Sequence, residues 1–142
     1  MASGIYTLPA NVQLSTIVSI ASGRPYNILA GADLNGDGDG GAFPSDRART
    51  NPADATTSVG RDSGSLPVQA TMDLRAMKRF EAGRLKIDGI FEVFNLFNRT
   101  NYTDINNIFG IGAFPNTPLP TYGQFTQAGP PLQVQIAARV SF

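Results

Sequence analysis

Residues 33–40 read "DLNGDGDG", which sets oxygen-bearing side chains on alternate residues with glycines between most of them. Asp33, Asn35, Asp37 and Gly38 fit D-x-[DN]-x-[DN]-G, the opening of a calcium loop. Ca²⁺ takes hard oxygen ligands from alternate positions, and glycine permits the sharp turn between them. The twelfth position of such a loop is a bidentate glutamate, and here it is Pro44. Asp46, two residues on, would substitute in a longer loop, and Asp39 would add a ligand. The expected set is therefore Asp33, Asn35, Asp37, Asp39 and Asp46 around Ca²⁺, acting as a structural clamp. A solvated Asp/Gly-rich turn is the alternative. A phosphate cradle is disfavoured, because the carboxylates repel an anion and the Walker lysine is missing.

Little else in the chain points to catalysis. It has no histidine and no cysteine, which removes the commonest general base, thiolate zinc sites, Cys nucleophiles and disulfides. Asp73 and Glu92 make a conceivable carboxylate pair on neighbouring strands, but Arg75, Arg79 and Lys86 beside them favour ordinary ion pairs. No nucleophile and no reaction is assigned, and the chain is read as not an enzyme. Lys plus Arg number 11 and Asp plus Glu 11, for a formal net charge of zero. That lacks the basic excess a sequence-independent nucleic-acid binder needs to displace counterions.

Of three further features, the first two admit two readings each. Arg47 and Arg49 follow the acidic loop and either pair with a loop carboxylate or lie exposed. Phe94, Phe97 and Tyr102 form an interfacial aromatic girdle or a core cluster under a loop. Asn98-Arg-Thr100 and Asn101-Tyr-Thr103 match the glycosylation sequon, a short and common motif.

The elements that carry these residues alternate with period two, and helical periodicity is hard to find. Val12, Leu14, Thr16, Val18 and Ile20 share one face of a first strand. Met72, Leu74, Ala76 and Phe80 oppose Thr71, Asp73, Arg75, Met77 and Arg79 on a second. Leu85, Ile87, Gly89, Phe91 and Val93 oppose Lys86, Asp88, Ile90, Glu92 and Phe94 on a third. Leu132, Val134, Ile136, Ala138, Val140 and Phe142 oppose Gln133, Gln135, Ala137, Arg139 and Ser141 on the last. This predicts an all-β fold, a single segment over 1–142 that forms an antiparallel meander of about four strands. They cover about 12–22, 69–80, 84–97 and 131–142.

The connections are unequal. "EAGR" (Glu81 to Arg84) is a tight turn of hairpin type, whereas about 23–68 and 98–130 are long loops on the other side of the meander. The N-terminus has neither the basic n-region nor the apolar h-region of a signal peptide. No stretch approaches the ~18 apolar residues of a spanning helix, although spanning β-strands escape that test. Short turns on one side and long loops on the other, with strands near the ~9–11 residues that cross a bilayer, fit an outer-membrane barrel. An ordinary half-covered soluble sheet alternates equally well.

The order of "SIASGRPYN", "DLNGDGDG", "SDRARTN", "MDLRAMKRF", "FEVFNLFNRTNY" and "VQIAARVSF" resembles the C-terminal portion of TonB-dependent outer-membrane receptors, particularly the Oar-like, carboxypeptidase-regulatory-domain type. The resemblance runs from about Leu14 to Phe142. It implies outer-membrane lipid around the strands, energised uptake of a bulky ligand, and an assembly signal read by the barrel-assembly machinery at Val134, Ile136, Ala138, Val140 and Phe142. The plug and the box that such receptors carry do not match any part of this sequence. Four strands fall short of the about eight of the smallest barrels, so the expectation is a fragment, a truncated frame or a segment that borrows strands. The alternative function is an extracellular subunit that polymerises into filaments by β-strand exchange with identical neighbours, stiffened by Ca²⁺.

Overall fold

The computed structural model describes residues 1–38 and 46–142. Among the described residues nine strands run in order: β1 (Ala2–Leu8), β2 (Val12–Ala21), β3 (Pro25–Tyr26), β4 (Gly64–Ser65), β5 (Gln69–Ala82), β6 (Leu85–Phe94), β7 (Tyr102–Ile105), β8 (Phe125–Ala128) and β9 (Gln133–Ser141). A 3-10 turn, Ala55–Thr57, is capped by the Asp54 side chain, which accepts from the Thr56 amide. Among the described residues no helix is long and apolar enough to cross a membrane.

The chain divides into two compact units. The first, Met1–Ser22 with Val68–Asn101 and Gly129–Phe142, holds one five-stranded antiparallel sheet in the order β1-β2-β5-β6-β9. It has one strand more than the alternation alone predicts. β1 is held by full pairing with β2, from Ala2↔Val18 to Leu8↔Val12. Their connection turns through Ala10 at φ 65° and Asn11 at φ 58°. At the same end Ala82 pairs with Leu85, leaving a two-residue turn whose first position is Gly83 at φ 63°. A type II′ hairpin turn needs glycine there, because only glycine takes that conformation without strain. The sheet is open: β1 and β9 are its outer strands.

The second unit is built from the two long connections, Gly23–Pro67 and Tyr102–Ala128. The first contributes the β3–β4 pair and the second the β7–β8 pair. Leu29 joins the two segments: its amide donates to the Asn107 carbonyl at 3.0 Å, and its own carbonyl accepts from the Phe109 amide at 2.8 Å. Ile28, Ala48, Val59 and Phe109 are buried at the centre, with Tyr26, Phe114 and Tyr122 packed around them. The Phe109 ring, 1% exposed, meets Phe114 and Tyr122 edge-on at centroid distances of 5.1 and 5.3 Å, an arrangement aromatic pairs favour. Gly23 is required here, since a Cβ at that position would lie 1.6 Å from the Leu66 carbonyl oxygen.

Candidate functional site

Register decides what the sheet can do. A shift of one residue moves a whole strand's apolar set to the other face, so four alternating strands share a common apolar face only if every pairing is in phase. They are in phase. Val18 pairs with Met72 and Leu14 with Ala76. Leu74 pairs with Val93 and Ala76 with Phe91, and those in turn with Val134 and Ile136. Ala2, Gly4, Tyr6 and Leu8 of β1 join the same face through Val18, Thr16, Leu14 and Val12. This face carries Tyr6, Ile20, Phe80, Phe91, Val134, Ile136 and Val140 as exposed large apolar side chains, with Ile136 80% exposed. Lys78 is its charged exception among the paired positions, and its ammonium lies 5.2 Å from the Phe80 ring centroid. It pairs with Val12 beside the β1–β2 turn, an end position from which a long cationic side chain reaches the membrane boundary.

The opposite face carries the ionic groups of the strands, alongside Ile5, Ile17, Met77, Ile90 and Phe94. Arg79 and Asp88 stand across from each other in a two-point contact, Nε to Oδ1 at 2.7 Å and a terminal nitrogen to Oδ2 at 3.1 Å. Asp88 also pairs in register with Arg139 of β9. Arg75 Nε lies 3.6 Å from Glu92 Oε1. Asp73 accepts from the Asn95 amide at 2.9 Å, so Asp73 and Glu92 each have a partner of their own. They are structural groups of a polar surface, not an acid/base pair.

At the end of the sheet where the long connections leave, three asparagines spaced by three residues join the strands. Asn95 and Asn98 take φ values of 50° and 49°, a left-handed conformation that asparagine tolerates better than most residues. The Asn95 carboxamide donates to the carbonyls of Arg99 at 2.9 Å and Pro130 at 3.1 Å and accepts from the Arg99 amide at 3.1 Å. Asn98 Oδ1 accepts from the Leu132 amide at 3.0 Å. Asn101 is buried and pairs with both backbone groups of Ala70, accepting from N–H at 2.8 Å and donating to C=O at 3.0 Å. A carboxamide carries the same donor and acceptor as a peptide group, so Asn101 acts as one more rung beside β5. The sequence alone offers sequons here; the N-x-x-N-x-x-N spacing is the available signal for a backbone-binding motif.

The aromatic residues of this region separate. Phe94 has the parity of Glu92 and lies on the ionic face beside Asp73 and Arg75. Phe97, 74% exposed, lines a groove with Val18 and Ile20 of the apolar face. Tyr102 stacks on Phe125 at a centroid distance of 3.8 Å in the second unit.

The acidic loop belongs to the second unit. Asp33 Oδ1 accepts from the Gly36 amide at 2.7 Å and the Asn35 amide at 3.3 Å, and Oδ2 accepts from Gly38 at 3.0 Å. The Gly36 amide, followed by that of Gly38, holds Asp33 below the usual carboxylate range. Asp46 Oδ2 accepts from Leu34 at 2.6 Å and Asn35 at 3.1 Å. Asn35 Oδ1 accepts from the Asp37 amide at 3.0 Å, and its nitrogen donates to Asp37 Oδ2 at 2.9 Å. Asp33, Asn35, Asp37 and Asp46 are thus in one hydrogen-bonded turn. Asp39 and Pro44 lie outside the described residues. Among the described residues no three acidic side chains converge with metal-holding geometry. Arg47 donates to the Val59 carbonyl at 2.6 Å and Arg49 to the Leu34 carbonyl at 2.9 Å. Both arginines donate to backbone carbonyls, and among the described residues neither of them is in an ion pair with a loop carboxylate.

A family model described as an outer membrane beta barrel domain matches residues 7–135. No curated protein and no solved structure matches the chain. The matched span takes in β2, β5 and β6, both long connections, the end of β1 and the start of β9, and the family is not typically enzymatic. An apolar outward face, an inner face that carries the ionic groups, and outer strands β1 and β9 each with one open edge are what one arc of a barrel wall requires, and such an arc is completed by other strands, because open backbone edges do not persist in lipid. The chain belongs to the outer membrane beta barrel domain family, and its place is the bacterial outer membrane.

Proposed function

We propose that this chain supplies strands and extracellular loops to a TonB-dependent outer-membrane receptor, a transporter that takes up a bulky ligand. The observation that carries the reading is the joining of the two long connections into one unit with its own buried centre at Ile28, Ala48, Val59 and Phe109. Long extracellular loops that hold a fixed shape present a ligand-binding surface, whereas a barrel built only for anchorage has no use for them. The ordered motifs from "SGRPYN" to "FNLFNRTNY" support the same family of receptors. Val134, Ile136, Ala138, Val140 and Phe142 are the positions offered to the barrel-assembly machinery.

Within this reading the loop Asp33, Asn35, Asp37 and Asp46, with Asp39, binds Ca²⁺. Its support is the alternate-residue oxygen spacing together with a backbone already turned so that Asp33, Asn35, Asp37 and Asp46 share one hydrogen-bonded segment. Calorimetry with Ca²⁺ should show binding that Asp33→Ala and Asp37→Ala weaken; absence of heat in the parent chain would remove the ion from the account.

The receptor reading is tested by an antibody to residues 46–62 on outer-membrane fractions. The expected antigen is a heat-modifiable, detergent-extracted polypeptide far longer than 142 residues. A short antigen recovered without detergent in filaments would overturn the reading in favour of a strand-exchanging subunit.

A further inference from the structure

An apolar groove of about 340 Å³ opens on the outward face of the first unit, lined by Val18, Ile20, Ala70, Met72, Phe97 and Arg99. Val18 pairs with Met72 and Ile20 with Ala70, so its floor is the seam between β2 and β5. Both strands are already paired on their far sides, β2 to β1 and β5 to β6. Strands that complete the sheet join at β1 and β9 and leave this groove open. Phe97 forms a wall.

Arg99 lines the same groove, and its position is fixed. Its amide and carbonyl are both held by the Asn95 carboxamide, and its guanidinium donates to the Val68 carbonyl at 3.0 Å. Among the described residues no carboxylate lies within ion-pair distance of Arg99. The groove lies at the end of the sheet where the long connections leave, which is the outer end in the barrel reading and the level of the lipid headgroups. An apolar slot with a fixed cation on its lining matches one acyl chain and the anionic headgroup it hangs from.

We propose that this groove holds an acyl chain of an anionic outer-leaflet lipid, with Arg99 on the headgroup; the inference rests on the membrane-facing assignment of this face. The chain contains no tryptophan, so within it Phe97→Trp places one fluorescent reporter, in the groove. Val140→Trp places one on the same face at the far end of β9. The outer-membrane polypeptide that carries this chain is reconstituted in phosphatidylcholine vesicles containing equal small fractions of phosphatidylglycerol or phosphatidylcholine with brominated chains, and each reporter is read as the difference from the same polypeptide without it. The groove reporter of Phe97→Trp should be quenched more by brominated phosphatidylglycerol, with a roughly fivefold preference of the size one cation gives at an anionic surface. Arg99→Gln should abolish the preference, Arg99→Lys should retain it, and the distant reporter of Val140→Trp should show none. Added inorganic phosphate should leave the preference intact, since the acyl chain supplies most of the contact. Equal quenching of the groove reporter by both lipids, or a preference that survives Arg99→Gln, overturns the proposal while leaving the face in the membrane. No quenching of either reporter by either lipid overturns the membrane-facing assignment as well.

Discussion

The two units of this molecule solve opposite solvent problems with one amino-acid alphabet. In the sheet, most of the large apolar residues lie on the outward face: Phe91 and Ile136 are exposed while Asp88 is buried among its ionic partners. In the loop unit the order is reversed, with Phe109, Ile28 and Val59 inside and Asp33, Asp37 and Asp54 on turns at the surface. Hydrophobic burial drives the second arrangement directly. The first is stable only where lipid, not water, meets the apolar face. Membership of a barrel is therefore legible in the contrast between the units, more than in either alone.

The contrast breaks first, and most, in the loop unit. Phe109→Ala empties the centre of the aromatic cluster, and a buried Phe→Ala change costs about 3–5 kcal/mol. Hydrogen exchange should show lost protection at the amides of Ala48 and Val59, which donate to Ile28 and Ala48 carbonyls, with β6 amides unchanged. Equal losses in β6 would mean that the two units unfold as one.

In the sheet the vulnerable direction is inverted. Phe91→Arg places a cation on the lipid face, at about 2–4 kcal/mol near the bilayer midplane. The neighbouring Glu92→Gln on the ionic face removes only a half-exposed pair with Arg75, for less than about 1 kcal/mol. Denaturant unfolding from vesicles separates the two; similar costs would argue that both faces meet water. At the rim, Asn101→Ala leaves both backbone groups of Ala70 without their partner, at about 1–3 kcal/mol. The loss should be local, read as faster exchange at the start of β5.

How much of this is legible in the sequence follows the same division. β2, β5, β6 and β9 carry clean alternation, so their faces can be read from residue parity. β1 cannot, because "ASGIYTL" mixes small, polar and apolar residues on both parities and is held in place by β2. The loop unit reads in sequence as two separate loops. Its order comes from nonlocal contacts, such as the Asn107 carboxamide donating to the Asn27 carbonyl at 2.8 Å across 80 positions. Its strands of two to four residues are too short to leave a period. At the acidic loop spacing finds the residues, but the amides that fill Asp33 and Asp46 belong to the folded turn. Likewise, the N-x-x-N-x-x-N spacing of "NLFNRTN" marks the residues, but the backbone groups that its carboxamides bind, such as those of Ala70 and Pro130, are brought there by the fold.

The smallest effect is the titration of that turn. The Asp33 carboxylate is held below its ordinary range by the Gly36 and Gly38 amides, so its contribution to loop order is present above the unfolded value, about 3.9, and is lost as the pH falls through the lower folded value. The amide signals of Gly36 and Gly38 in NMR should shift together with a midpoint below that of a free aspartate. A midpoint at or above it would mean that the turn does not hold the anion.

The central claim is that the common apolar face meets lipid. Since the chain has no cysteine, single cysteines at each position from Lys86 to Phe94 can be spin-labelled without background. β6 is paired on both sides, so its phase does not depend on how the barrel is completed. In bilayers, labels at 87, 89, 91 and 93 should be accessible to oxygen and shielded from a water-soluble nickel chelate, while labels at 86, 88, 90 and 92 should show the reverse. Loss of the two-residue period, or the opposite phase, would contradict the account.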